Sequence, residues 1–237
     1  MAYAWRALVR ITARSPIFTL GPGRSLPMVD RTLLLDEEGR PLILASSVRG
    51  RCRAQLERLL RANGQPVCTP PLPEWTCPHN REVALQLGQG PQYCLACRIF
   101  GSPWRESAVY FSDFRLDAGE DLGLPTFVTE RIGVGMSRKL GAAEEKRLYL
   151  TEAGPAGVEL HFFGTVEGET EKDELAWLLA SLSSLTHLGG QKGRGLGRVR
   201  VTVESLAIAQ EDGSWKTVDV GTWLPEVLRD AMRTRAS

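Results

Sequence analysis

The stretch His187-Leu188-Gly189-Gly190-Gln191-Lys192-Gly193-Arg194-Gly195-Leu196-Gly197-Arg198 combines five glycines with three cations. Glycine admits positive φ and lets backbone N–H groups close on a ligand. A glycine turn carrying Lys and Arg therefore suits a polyanion, above all a phosphodiester backbone. A nucleotide-binding P-loop is excluded, because no Lys-Ser or Lys-Thr follows the glycines. A loop that only turns tightly from helix to strand is the alternative.

A second constellation is Cys68, Cys77, Cys94 and Cys97, the last two in a C-x-x-C pair. The segment around them is rich in proline and poor in core-forming residues, so one tetrahedral Zn²⁺ would supply the shape that burial does not. His79 follows Cys77 in Cys-Pro-His, and the set is completed by some choice among Cys68, Cys77 and His79. The role expected of this zinc is structural, since nothing nominates an open coordination position with an acid-base partner. Cys52 reads as a small core residue, and His161 and His187 read as structural rather than acid-base groups.

Around these residues lies a chain of 237 residues, 43% hydrophobic, with a formal charge of +1. It can bury a full core, and a nucleic-acid surface has to be a local patch on a near-neutral body. There is no apolar run of membrane-spanning length and no signal-peptide core at the N-terminus, and five cysteines with a C-x-x-C pair fit a reducing compartment. The expected localisation is cytoplasmic, away from any membrane.

Trp5 to Thr12 alternates as a half-buried strand, followed by a turn at Gly21 to Gly23 and an exposed segment to Gly39. Ser46-Ser47 is expected to cap a helix that buries Val48, Cys52, Leu56, Leu59 and Leu60 and stops at Gly64. Its other face carries Arg49, Arg51, Arg53, Arg58 and Arg61. Ala108 to Leu116 reads as a strand, Val158 to Val166 as another, Glu171 to Leu188 as a helix and Gly197 to Ile208 as a strand, with a small strand and helix after Trp215. The order βαββαβ predicts an α+β fold, a ferredoxin-like (RRM-like) sheet with both helices on one face. Residues 65–101 and 117–155 are long insertions in this single domain. The first is the cysteine-bearing one, and the second is expected to protrude as a hairpin.

In this order the pieces resemble the RAMP superfamily of CRISPR proteins. The carrying residues are Pro41 to Gly50 opening the first helix, Cys97-Arg98-Ile99-Phe100-Gly101-Ser102, Arg131 to Ala143 in the second insertion, and the glycine-rich loop. Within that superfamily the chain looks most like the backbone subunit of type III (Csm or Cmr type) effector complexes. The resemblance implies a protein that stacks with copies of itself or paralogous RAMP subunits along a guide RNA, beside the large and small subunits, while a thumb-like hairpin wedges between guide and target RNA. Mapped here, Ser46, Ser47, Arg49, Arg53, Gly190, Lys192, Arg194 and Arg198 would bind guide phosphates, and Arg131, Arg138 and Lys139 would lie on the wedge. The resemblance also implies cleavage of bound target RNA by an aspartate before the first helix. Pro27-Met28-Val29-Asp30-Arg31 matches that position, which nominates Asp30, with Mg²⁺ or Mn²⁺ assisting. The alternative is a non-catalytic capping or paralogous subunit that only binds guide RNA.

Overall fold

The computed structural model describes residues 2–20, 29–88, 92–117 and 127–233. The turn expected at Gly21 to Gly23 and the start of the second insertion lie outside the described residues. In chain order the elements are β1 (Tyr3–Ala13), β2 (Leu42–Ile43), α1 (Ala45–Ala62), α2 (Arg81–Leu87), α3 (Leu95–Phe100), β3 (Val109–Phe111) and β4 (Phe114–Leu116). After them come β5 (Thr129–Met136), β6 (Ala143–Ala153), β7 (Leu160–Thr170), α4 (Lys172–Ser183), β8 (Val199–Ala209), β9 (Trp215–Val218) and α5 (Val220–Arg233).

The main sheet runs β2-β4-β7-β1-β8-β9, with β3 also pairing to β7, and its pairs are antiparallel. Taking β3 and β4 as one interrupted strand, the core order β4-β7-β1-β8 agrees with the ferredoxin-like expectation. Alternation along β1 explains the layering. Trp5, Ala7, Val9 and Ile11 are buried on the helical face while Arg6 and Leu8 are exposed on the other. Helices α1 and α4 pack together over the buried face, which Val48, Cys52, Leu56 and Leu60 of α1 and Leu175, Leu178, Leu179 and Leu182 of α4 complete. The Cys52 thiol lies 2.9 Å from Ser181 Oγ in this seam.

Four local expectations change. The N-cap of α1 is Leu44, and no serine side chain caps it. Instead the Ala45 amide donates to the Asp113 carboxylate at 2.7 Å. Asp113 comes from the interruption between β3 and β4, which explains why Ala108 to Leu116 is not one strand. That carboxylate already occupies the position at the helix start that favours an anion, and Ser46 and Ser47 sit within the first turn. Helix α4 ends at Ser183, not Leu188. The Ser184 hydroxyl donates back to Ala180 O at 2.7 Å, and the chain then bridges His187 to Arg198 in extended form, so His187 is not at a helix terminus. Lastly, the segment before Gly39 is not wholly exposed. Thr32 and Leu33 are buried, and the Leu33 amide donates to Glu152 at 2.8 Å.

The second insertion contains the β5–β6 hairpin, a two-stranded sheet of its own. On one of its faces Ile132, Val134, Met136 and Leu148 are exposed. No helix among the described residues is long and apolar enough to cross a membrane.

Candidate functional site

The glycine-rich turn is held from below and open above. Gly189 and Gly197 take φ of +77° and +73°, and a Cβ on either would stand 2.2 Å from Phe18 O or 2.0 Å from Leu188 O. The Gly190 amide donates to Phe18 O and the Gly197 amide to Pro16 O, so the base of the turn is stitched to the end of β1 and the residues after it. Its tip is the short 3-10 turn Lys192–Arg194, entered through a left-handed Gln191, and a Cβ on Gly193 would meet nothing within 4 Å. The glycines therefore divide by role. Gly189 and Gly197 permit close backbone packing, Gly190 lies close to the Phe18 ring, and Gly193 and Gly195 leave the tip clear.

Lys192 and Arg194 leave that tip in different directions. Burial, followed by the positive charges of Arg51 and Arg58, lowers the Lys192 ammonium below its usual range. These three cations form a patch between the turn and α1. The Arg51 Nε–H is buried without a hydrogen-bond partner among the described residues. A donor that is buried and unmatched in a cluster of like charge is suited to an anion.

Arg194 donates to the Tyr149 hydroxyl, and its guanidinium lies 5.7 Å from the centre of that ring. The pair borders an open groove of about 730 Å³ lined by Asp30, Arg31, Tyr149, Gln191, Gly193 and Arg194. Asp30 is fixed there by β6: its amide donates to Leu150 O at 3.0 Å and its Oδ2 accepts from the Leu150 amide at 2.8 Å. Among the described residues no ion pair joins Asp30 to an arginine, although Arg31 and Arg194 line the same groove.

Arg49 and Arg53 have different partners. Spaced by one helical turn with Glu57 and Arg61, they form a stripe that grips the cysteine-bearing insertion. Arg49 donates to Phe100 O, and Arg53 donates to Gly101 O at 2.9 Å and Cys97 Sγ at 3.4 Å while pairing with Glu57 at 3.1 Å. Arg61 reaches Cys68 O at 3.4 Å. Arg51 and Arg58 are expected on the cationic face of this helix but are not among the residues nominated to bind RNA. Helical phase was the signal available, because they lie on a flank of α1 that the stripe at 49, 53, 57 and 61 does not occupy.

Cys68, Cys77, Cys94 and Cys97 are buried, and their sulfur atoms lie within 4.8 Å of one another. Sulfur separations are 3.4 Å for Cys68 to Cys97 and 3.8 Å for Cys94 to Cys68. Four thiolates at the usual Zn–S length stand about 3.8 Å apart, so the set is compatible with a structural zinc. His79 is not part of this group; its ring packs edge-on to Trp104 with centroids 4.6 Å apart. Hydrogen bonding from Cys68, Cys77 and Cys97 pulls Cys94 below the usual thiol range, whereas hydrogen bonding with Cys68, Cys77 and Cys94 pushes Cys97 above it. A cation would relieve that sharing of protons, and Arg53 already brings one positive charge to the edge of the cluster.

Of the remaining expected residues, Arg198 is exposed where the turn enters β8, and its amide donates to Ser15 Oγ at 2.8 Å. Arg131, Arg138 and Lys139 are exposed on the hairpin, the first on β5 and the others in its turn. His161 Nδ1 is 3.1 Å from Thr12 Oγ1 on the sheet face away from the helices.

In comparisons with known proteins, the family model described as the RAMP superfamily matches residues 10–200. No curated protein matches the chain.

Proposed function

This chain belongs to the RAMP superfamily, and from that premise we propose that it is a guide-RNA-binding backbone subunit of a type III CRISPR effector complex that cuts complementary target RNA at Asp30. The observation that carries this reading is the convergence of Asp30 and the glycine-rich turn on one open groove. On one side of the turn, Lys192, Arg51 and Arg58 offer unmatched positive charge to guide phosphates. On the other side lies the carboxylate. Arg198 and the exposed Ser46 hydroxyl extend the guide surface. The hairpin, with Arg131, Arg138 and Lys139 beside an exposed apolar face, has the chemistry of a thumb that wedges against bases and phosphates together.

Cleavage follows from the ribose. The target 2′ oxygen attacks the adjacent phosphorus, forming the O2′–P bond and breaking P–O5′. The 2′ proton passes to the Asp30 carboxylate, and the leaving 5′ oxygen takes a proton from solvent. One free carboxylate oxygen fits a largely hydrated Mg²⁺ or Mn²⁺, which would supply charge neutralisation at the phosphate. Copies of itself or paralogous RAMP subunits, and large and small subunits, are the expected partners in the cytoplasm, with structural Zn²⁺ bound by the four cysteines.

Protein purified from its cells should carry a discrete short RNA. Asp30→Ala should keep that RNA and still bind a complementary target, but no longer cut it. Unchanged cutting would move the site elsewhere. The Asp30–Leu150 hydrogen bond, which a purely structural aspartate would also make, favours a second reading as a non-catalytic capping subunit. In that case the wild type binds target RNA and never cuts it.

A further inference from the structure

Resting on the cleavage reading above, we infer that Arg194 belongs to the cutting centre rather than to the guide grip: its guanidinium holds the non-bridging oxygens of the scissile phosphate opposite Asp30, and Tyr149 is the positioning residue that aims it.

Lys192 and Arg194 are separated by one residue, and Lys192 feels the charges of Arg51 and Arg58 on α1. Arg194 instead meets Tyr149, through both the hydroxyl and the ring face, at the rim of the groove that Asp30 lines. The Tyr149 ring can lie there because its cross-strand partner is Gly133. A Cβ at that position would be 2.2 Å from the ring, so any larger residue would push the ring out of place. β6 thus delivers two things to one spot. Leu150 pins Asp30 through its amide, and the preceding residue, Tyr149, orients Arg194.

Among the described residues no ion pair joins Arg194 to Asp30, and the Tyr149 hydroxyl takes up only one of the guanidinium nitrogens. In the attack described above, negative charge accumulates on the two non-bridging oxygens as phosphorus becomes five-coordinate. A planar guanidinium matches those oxygens with two parallel N–H donors. A donor already aimed at that charge lowers the barrier without reorganising.

The experiment uses the guide-loaded protein as purified, with single-turnover cutting of a complementary RNA and three further readouts: guide content, target affinity, and sensitivity to sulfur at one non-bridging oxygen. Arg194→Ala should slow cutting on the order of 100-fold while guide content and target affinity stay within about two-fold. Arg194→Lys should recover part of the rate, since charge returns without the planar fork. Tyr149→Phe should fall between. Sulfur at either non-bridging oxygen should slow the wild type, and Arg194→Ala should lose most of that sensitivity. Wild-type cutting by Arg194→Ala, or loss of guide in step with loss of cutting, overturns the inference and returns Arg194 to the guide grip. A wild type that holds guide and target but does not cut sinks the cleavage reading itself, which is a separate result.

Discussion

Arg53 of α1 donates to Cys97 Sγ at 3.4 Å across 44 residues of sequence, while the same guanidinium reaches Gly101 O and Glu57. Burial opposes the Arg53 charge, but the Glu57 hydrogen bond and the Cys97 and Cys68 sulfurs raise its pKa above the usual value. One side chain thus ties the first helix to the cysteine cluster, and the metal expected there becomes part of the main core rather than an appendage.

Removing that tie has a measurable cost. Arg53→Ala should destabilise the protein by about 2 to 3 kcal/mol, because a partly buried charge-assisted set is lost and its acceptors are left unmatched. Urea unfolding would read this as a lower midpoint. Arg53→Lys should recover less than half, since an ammonium cannot span the three acceptors.

Metal content follows from the same cluster. Purified protein should contain about one equivalent of zinc per chain, and Cys97→Ser should lose it, whereas His79→Ala should keep it. Elemental analysis checks both. Stripping the metal with a chelator should lower the thermal midpoint, with the cysteine-bearing insertion becoming protease-sensitive first.

The glycines of the turn should separate sharply. Gly197→Ala combines positive φ with a clash against Leu188 O and should cost roughly 3 kcal/mol or prevent folding. Gly193→Ala enters open space and should change stability by less than about 1 kcal/mol. Denaturation of the two variants side by side provides the comparison.

The cationic patch of Lys192, Arg51 and Arg58 should be visible in the salt dependence of RNA binding. Arg51→Ala and Lys192→Ala should each weaken RNA binding and lower the slope of log affinity against log salt by about 1. Arg49→Ala, whose guanidinium is engaged by Phe100 O, should reduce stability more than it changes that slope. A slope unchanged in Arg51→Ala would remove this residue from the interface.

Alkaline pH should weaken the fold. Burial pushes the Cys52 thiol up to about 12, and burial followed by Asp173 pushes Tyr3 up to about 12. Both folded pKa values lie above the unfolded ones, so the stabilisation is complete below about pH 8.5 for the thiol and pH 10 for the phenol. It is lost as pH rises toward 12. For the fully buried Cys52 the slope approaches about 1.4 kcal/mol per pH unit. Cys52→Ala should flatten the part of the curve between about pH 9 and 10, even if its absolute stability is lower.

Much of this was legible in the chain. The alternation of Trp5 to Thr12 and the helical spacing of Val48, Cys52 and Leu56 are properties of a local pattern, and burial follows from them. The cysteine spacing selects a ligand type before any folding is known. What local pattern cannot specify is which distant group satisfies a backbone amide. Ser46 and Ser47 have the right chemistry to cap α1, yet Asp113 does so, because the sheet brings the β3–β4 break to the helix start. The arginines of α1 divide for the same reason. Composition makes them equivalent, and only the docking of the insertion on one flank commits Arg49 and Arg53 to it while leaving Arg51 beside Lys192.

By itself the sequence determined the residue types able to meet phosphate and metal, together with the order of strands and helices that carries them. Tertiary structure decided the partners. Asp30 and Arg194 are far apart in the chain and acquire a shared groove only because β6 returns past both, with Leu150 holding one and Tyr149 the other. Side-chain chemistry is inherited from the residue, but charge acts through distance, and distance between remote residues is set only when the sheet and hairpin close.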